Sequence, residues 1–270
     1  MSMPFFTPGD DPGPNFVKLL ERTGTRIVRD LPGQIDAGHA TTVLAVRTVD
    51  GVVMAGDRRA TSGHLISHRS IEKVFEADRH SGVAIAGAAG PAIEMVKIFQ
   101  VQLEHYEKVE GKELSLDGKA NQLSAMVRGN LPAAMQGLAV VPLFAGFDER
   151  RGTGRLYQFD LTGGRYEERD YATSGSGSLH ASTVLKLGFE DDMSTDAAVE
   201  LVLRALWHAA DEDSATGGPD PIRGIYPIVA SIEVEGFERV PEDEIATKFG
   251  AITASLGNRW ASADDEGGES

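Results

Sequence analysis

Three residues of the sequence could together form a nucleophilic site. Thr41 offers a hydroxyl group, Asp57 a carboxylate and Lys73 an ammonium group. Thr41 begins a strand pattern over residues 41–47, and the Gly/Pro-rich residues 1–40 precede it. A hydroxyl group is a poor nucleophile until a base accepts its proton. If the peptide bond before Thr41 were cut, the new α-amine could be that base, because free α-amines titrate at about 7.7 to 8.0.

Asp57 and Lys73 suit the two charges that such a nucleophile needs. A buried cation lowers the pKa of a nearby amine and stabilises negative charge on the hydroxyl oxygen, and a carboxylate holds that cation in place. Asp57 ends the second strand pattern, and Lys73 begins an apolar one. Each residue alone is more typical of a surface ion pair, so only the combination with Thr41 indicates a site.

Other catalytic and cofactor-binding patterns are missing from the sequence. The seven histidines are scattered, and no two have the His-Glu-x-x-His spacing of a zinc helix. The Gly175-Ser176-Gly177 run begins like a dinucleotide loop, but His180 stands where the third glycine is required. No Gly-x-Ser-x-Gly elbow occurs with a suitably placed histidine and acid. We therefore expect neither a metal nor an organic cofactor.

The composition is that of an ordinary globular protein, with 41% hydrophobic and 25% charged residues. A net charge of -15 argues against nucleic-acid binding and against adhesion to an anionic membrane surface. The sequence has no cysteine, no signal peptide and no apolar run long enough to cross a bilayer. These features are compatible with a cytoplasmic protein.

The predicted elements follow the order strands, two helices, strands, two helices, strands. Because the helices are grouped, this order favours an α+β fold of two antiparallel sheets packed face to face with helices outside. The strand patterns cover residues 41–47, 51–55, 73–75, 82–86, 140–147, 155–161, 165–172, 225–232 and 233–240. The helical patterns cover residues 91–110, 116–137 with a kink or boundary at Pro132, a segment ending near 188, 195–211 and 241–256. The apolar positions predicted to face the core are Ile93, Val96, Val101 and Leu103 in the first helix, and Val199, Val202, Leu203 and Leu206 in the fourth.

The domain organisation is simple. The sequence has no internal repeat and no linker after Thr41, so residues 41–260 are predicted to form one domain. Residues 1–40 are either a flexible tail or a removable pro-segment. Residues 261–270 form an acidic tail that is predicted to be disordered.

Several short motifs, taken in chain order, resemble proteasome β subunits. Each motif is weak alone, but the ordered set spans residues 41–240 and is highly specific. The motifs are Thr41-Thr42, residues 51–61, Lys73-Val74, Ala86-Gly87, residues 175–178 and residues 213–218. Residues 127–131 and 213–220 resemble the actinobacterial type of this family.

The resemblance implies an N-terminal-nucleophile hydrolase, a threonine endopeptidase with a four-layer αββα sandwich. It implies that residues 1–40 are a propeptide removed autocatalytically at the Ala40-Thr41 bond, so that Thr41 becomes both nucleophile and base. Asp57 and Lys73 are then its charge partners. Three further positions match those that surround the threonine amine and hydroxyl, namely Ser176, Asp213 and Thr216. The backbone N–H of Gly87 matches the oxyanion hole, where one donor is commonly worth about 3 to 4 kcal/mol.

The resemblance also implies a substrate-binding groove. The backbones of Thr61 and Ala89 match positions that pair with an extended substrate, which adds a strand at a sheet edge. The residues expected to line the specificity pocket are Ala60, Ile71, Phe75, Ile85 and Ala89. Because these side chains are apolar and uncharged, we expect a preference for apolar residues before the cleaved bond.

One residue departs from the family pattern. The family usually has glycine immediately before the threonine, and this chain has Ala40. Self-cleavage needs a tight turn at that peptide, and glycine reaches unusual backbone angles at the lowest energy. We therefore expect processing that occurs but is slower.

The resemblance implies partners as well. They are proteasome α subunits and other β subunits in stacked heptameric rings, a ring-shaped ATPase that acts through the α ring, and tagged protein substrates. Two alternatives remain: another N-terminal-nucleophile hydrolase, either a two-ring bacterial protease or an amidase, and a catalytically silent ring subunit. The long pro-segment argues against the two-ring protease. A silent subunit would typically lack Thr41, Asp57 or Lys73.

Overall fold

The computed structural model describes residues 41–266, with side chains up to residue 255, and this part of the chain forms twelve strands and six helices. The strands are β1 (Thr42–Arg47), β2 (Val52–Gly56), β3 (Ala60–Ser62), β4 (Leu65–His68), β5 (Val74–Asp78), β6 (Ser81–Ala84), β7 (Leu143–Asp148), β8 (Thr153–Phe159), β9 (Arg165–Glu168), β10 (Tyr171–Gly175), β11 (Ile228–Glu233) and β12 (Gly236–Arg239). The helices are α1 (Ala89–Glu110), α2 (Leu116–Gly129), α3 (Leu131–Ala134), α4 (Ser178–Gly188), α5 (Thr195–Glu212) and α6 (Glu242–Glu266).

Two five-stranded antiparallel sheets carry the fold. The first sheet has the order β10-β1-β2-β11-β12, and the second has the order β5-β6-β7-β8-β9. The hairpin β3–β4 stands apart as a two-stranded sheet. The predicted pair of antiparallel sheets is therefore confirmed.

Strand β1 shows how the layers stack, because its side chains alternate between two separate cores. Val43 and Ala45 lie in the core between the sheets, together with residues of β7 and β8. Leu44 and Val46 lie in a second core, formed with α4, α5 and α6. A third core packs α1 and α2 against the second sheet. The order of layers is helix, sheet, sheet, helix, which confirms the predicted αββα sandwich.

The helices bury one face each, as amphipathic helices do. All four apolar positions predicted for α5 are buried, and Ser194 caps that helix by accepting a hydrogen bond from the Ala197 N–H at 3.3 Å. In α1 the prediction is wrong for Val101, whose exposed fraction is 64%. The buried stripe of α1 runs through Phe99 and Leu103, and a residue midway between these two points to the opposite side.

Two strand predictions need correction. Residues 165–172 are not one strand, because β9 pairs with β8 in the second sheet while β10 pairs with β1 in the first. The sequence analysis also missed the β3–β4 hairpin, of which residues 62 and 65–68 are exposed.

The helix boundaries agree with the sequence prediction near Pro132 and differ from it at the end of α6. The predicted boundary near Pro132 is confirmed, since α2 ends at Gly129 and Pro132 lies in the first turn of the separate helix α3. Helix α6 continues to Glu266 instead of ending near residue 256, so it includes residues 261–266 of the predicted disordered tail. Residues 1–40 and 267–270, and with them the predicted propeptide, lie outside the described residues. Within residues 41–266, no helix is both long enough and apolar enough to span a membrane.

Candidate active site

The residues predicted to do chemistry meet at one end of the first sheet. Thr41 immediately precedes β1, Asp57 immediately follows β2, and Lys73 immediately precedes β5. Because β1 and β2 run antiparallel with Val43 opposite Gly56, the start of one strand lies beside the end of the other. The Asp57 N–H donates to the Thr42 carbonyl at 3.1 Å, which extends this pairing to the site.

The Asp57 carboxylate is completely buried and accepts four hydrogen bonds. Its Oδ1 accepts from the Thr42 N–H at 2.8 Å and from Lys73 Nζ at 2.6 Å. Its Oδ2 accepts from the backbone N–H groups of Arg59 at 2.9 Å and Gly217 at 2.8 Å. Donors on both oxygens offset the desolvation of the charge and fix the carboxylate in one orientation.

Lys73 places a buried cation next to Thr41. Its exposed fraction is 3%, and its Nζ donates to Asp57 Oδ1 and to the Arg59 carbonyl, each at 2.6 Å. Burial lowers the pKa of Lys73 below its usual value, and the charge of Asp57 opposes that shift. Thr41, itself 5% exposed, lines the same pocket as Lys73.

Ser176, Asp213 and Thr216 form a second hydrogen-bonded cluster, which contacts Thr41 through Ser176. The Ser176 N–H donates to the Thr41 carbonyl at 2.9 Å. Asp213 Oδ2 accepts from Ser176 Oγ at 2.5 Å and from Thr216 Oγ1 at 2.7 Å. Asp213 follows the last residue of α5, so the end of a helix positions this carboxylate.

Sequence reasoning missed Thr42 and Gly177 as parts of this cluster. Thr42 Oγ1 lies 2.6 Å from Thr216 Oγ1 and accepts from the Gly177 N–H at 3.1 Å. Since the Thr216 hydroxyl donates its proton to Asp213, the Thr42 hydroxyl is the donor between the two threonines. The signal in the sequence was the Thr41-Thr42 pair, which matches a motif of the family but gave Thr42 no role of its own.

Gly177 leaves no room for a side chain. A Cβ added there would lie 2.4 Å from Thr42 Oγ1 and 2.7 Å from Thr216 Oγ1. We expect Gly177→Ala to lower the free energy of unfolding by about 1 to 3 kcal/mol and to reduce activity, because a packed core cannot absorb the extra methyl group. Urea denaturation of the variant measures the first effect.

Gly129→Ala is the matched control, because a Cβ at this helical position meets nothing within 4 Å. It should leave stability unchanged or raise it slightly. Equal destabilisation by the two substitutions would contradict the packing argument.

Gly87 is placed as an oxyanion-hole donor would be. The Ala88 N–H donates to the Ala139 carbonyl and the Val141 N–H to the Ala86 carbonyl, so the N–H of Gly87 points away from Val140. Its φ of +106° favours glycine, and a Cβ would meet the Ala139 carbonyl oxygen at 2.2 Å. Gly87 lines the same pocket as Thr41, which supports the predicted role.

This pocket, of about 190 Å³, brings together most of the predicted substrate-binding residues. It is lined by Thr41, Ala60, Thr61, Ser67, His68, Ile71, Lys73, Ile85, Gly87 and Ala89. Phe75 is a correction: alternation along β5 puts Val74 between the sheets and Phe75 against the core under α1 and α2. Ser67 and His68 were missed because the β3–β4 hairpin was not predicted.

Comparisons with known proteins identify the family of this chain. The family model described as proteasome subunit matches residues 37–222. The chain is 54% identical over 267 residues to the proteasome subunit beta of Acidimicrobium ferrooxidans, with 96% of this chain and 97% of that protein covered. It is 52% identical to that of Streptomyces griseus (89% and 86% covered) and 51% identical to that of Frankia casuarinae (93% and 92% covered).

Proposed function

The chain belongs to the proteasome family as a bacterial-type β subunit, and we propose that it is a threonine endopeptidase whose nucleophile is Thr41. The observation that carries this proposal is the buried ion pair of Asp57 and Lys73, which are 2.6 Å apart, with Lys73 lining the same pocket as Thr41. A surface ion pair would not be held by four donors in a fully desolvated position.

Maturation is the first step of the proposed mechanism. The Thr41 hydroxyl attacks the carbonyl carbon of Ala40, and the acyl group passes from the Thr41 nitrogen to its oxygen. Water then hydrolyses this ester, which releases residues 1–40 and leaves Thr41 with a free α-amine. That amine is the base that an internal threonine lacks.

Substrate hydrolysis then uses the same atoms. The α-amine accepts the hydroxyl proton, directly or through a water, and Oγ1 of Thr41 attacks the substrate carbonyl. Lys73 stabilises negative charge on the attacking oxygen, and the Gly87 N–H stabilises the oxyanion. The amine of the cleaved substrate bond leaves with the proton that the Thr41 α-amine had accepted. Water then hydrolyses the acyl ester on Thr41. Ser176, Asp213 and Thr216 hold the backbone and the amine in position.

The alternatives weighed from the sequence are less well supported. A silent ring subunit has no need of a desolvated Asp57–Lys73 pair, which is expensive to bury without a use. The relatives at about half identity are named proteasome subunit beta, which disfavours an amidase.

One measurement tests the proposed function directly: the intact mass and N-terminal sequence of the purified, assembled protein. We expect a mature chain that begins at Thr41 and has lost residues 1–40. An uncleaved chain that still hydrolyses peptides would overturn the proposal.

As a proteasome subunit, the chain assembles into proteasome rings with other subunits. Large apolar side chains on the described surface suit burial in such contacts, among them Leu179, Leu187 and Ile222, each more than two-thirds exposed. We extend the proposal to stacked heptameric rings with α subunits, a ring-shaped ATPase, tagged protein substrates and a cytoplasmic location. Measuring the mass of the particle formed with an α subunit tests the ring composition.

Ala40 gives a separate prediction about the rate of maturation. Ala40→Gly should speed self-cleavage, because glycine reaches the strained turn with less energy, by up to about fivefold for 1 kcal/mol. The appearance of chains starting at Thr41 can be followed by mass spectrometry after assembly begins. A variant that matures no faster than the parent chain would contradict the prediction.

A further inference from the structure

The pocket beside Thr41 contains an imidazole that the proposed mechanism does not use. His68 ends β4, pairs with Ala60 of β3 and lines the pocket of about 190 Å³. Its side chain is exposed, whereas that of Lys73, which lines the same pocket, is buried. The neighbouring Ser67 is already engaged, since its hydroxyl donates to the Ala60 carbonyl at 3.1 Å.

The described residues that line this pocket include two cationic or potentially cationic groups and no carboxylate. The two groups are His68 and Lys73. Asp57, the nearest carboxylate behind Lys73, already accepts four hydrogen bonds and is completely buried. The ionisable groups that line the pocket are therefore basic, although the net charge of the whole chain is -15.

We infer that His68 lets this pocket accept an acidic side chain of the substrate on the N-terminal side of the cleaved bond, in addition to apolar ones. The inference rests on the proposed function of Thr41. In an extended peptide alternate side chains face one wall, so the first and third residues before the cleaved bond both face this pocket. An imidazole N–H donates to a carboxylate, and the protonated ring adds charge to that hydrogen bond.

The inference modifies the expected specificity. Ala60, Ile71, Ile85 and Ala89 still provide apolar walls for a leucine or similar side chain. Among the described residues that line the pocket, the other ionisable side chain is Lys73, and His64 and Arg69 are close to His68 in the chain.

Peptides that differ only in charge test this inference. Matured wild-type particles are given two series of fluorogenic peptides, with Glu, Gln or Leu at either the first or the third position before the cleaved bond. We expect kcat/KM for Glu to exceed that for Gln in one series at about pH 6. His68→Ala should lower the Glu/Gln ratio at about pH 6 by about threefold, the scale of a partly exposed charge pair.

His64→Ala is the matched control, because it removes an exposed histidine of the same hairpin that does not line the pocket. It should keep the wild-type ratio. Cleavage of the Leu peptides shows that the particles are active. In active particles, a Glu/Gln ratio near one in both series, or an unchanged ratio in His68→Ala, would overturn this inference. Hydrolysis that persists in Thr41→Ala particles would instead overturn the proposed function, and this inference with it.

Discussion

Thr41→Ala should abolish both maturation and peptide hydrolysis. The substitution removes the only oxygen that can attack the Ala40 carbonyl in the proposed mechanism, so the α-amine is never released. Loss of a catalytic hydroxyl commonly reduces the rate by a factor on the order of 10⁴ or more. We expect intact chains of 270 residues in the assembled particle and no turnover of peptides above background.

Two further variants test whether the loss of activity in Thr41→Ala is due to the missing hydroxyl group. Thr41→Ser keeps both the hydroxyl and the future amine, so part of the processing and activity should remain. Thr247→Ala makes the same chemical change on the exposed side of α6, where the hydroxyl donates to the Asp243 carbonyl of its own helix at 2.8 Å, and should be fully active. Normal processing in Thr41→Ala would contradict the assignment of the nucleophile.

The layers of the fold were predictable because they depend on patterns that local sequence carries. Apolar residues on both faces of β1 and on one face of α5 determine which sides are buried, and the structure buries those sides. The division of residues 165–172 into β9 and β10 was not predictable in this way. Which sheet a strand joins depends on its distant partners, β8 and β1, and both halves carry an ordinary strand pattern.

The same distinction applies to the active site. Asp57 and Lys73 could be predicted only together with Thr41, because each alone is typical of a surface ion pair and a threonine nucleophile needs both charges. Thr42 could not, because its partner Thr216 is 174 residues away and its own neighbours suggest only a strand. His68 was missed because exposed strands such as β4 lack the alternation that marks a half-buried sheet.

Asp57→Asn should destabilise the protein and disable the site together. All four partners of the carboxylate are donors, and two face each oxygen. Asparagine must turn its amide NH₂ towards either the Thr42 and Lys73 donors or the Arg59 and Gly217 donors. In a completely buried position this mismatch should lower the free energy of unfolding by about 2 to 5 kcal/mol. Thermal and urea denaturation measure the loss.

Asp160→Asn is the matched control for this effect. Asp160 also accepts hydrogen bonds on both oxygens, from Thr162, Gly164 and Tyr166, and those bonds lower the pKa of its carboxyl well below the usual range. Water reaches this exposed turn and can replace the lost acceptor, so the change in stability should be small. Equal destabilisation by the two variants would contradict the role given to burial.

The same substitution should also move the pH dependence of activity, and the direction follows from Lys73. Burial lowers the pKa of Lys73, and the charge of Asp57 and the hydrogen bond to it raise that pKa. Without the carboxylate the opposing effect is lost, so the pKa falls further and the ammonium group loses its proton at a lower pH. Any residual activity of Asp57→Asn should therefore decline from the alkaline side at a lower pH than in the wild type.

A double-mutant cycle measures the interaction energy between Asp57 and Lys73 apart from the effect of each single substitution. Lys73→Met alone leaves the buried Asp57 charge without its cation, whereas adding it to Asp57→Asn removes a charge that has already lost its partner. The double variant should therefore be less destabilised than the sum of the two single variants, and inactive. Additive losses would show that Asp57 and Lys73 act independently, and the cation would then need another means of being held next to Thr41.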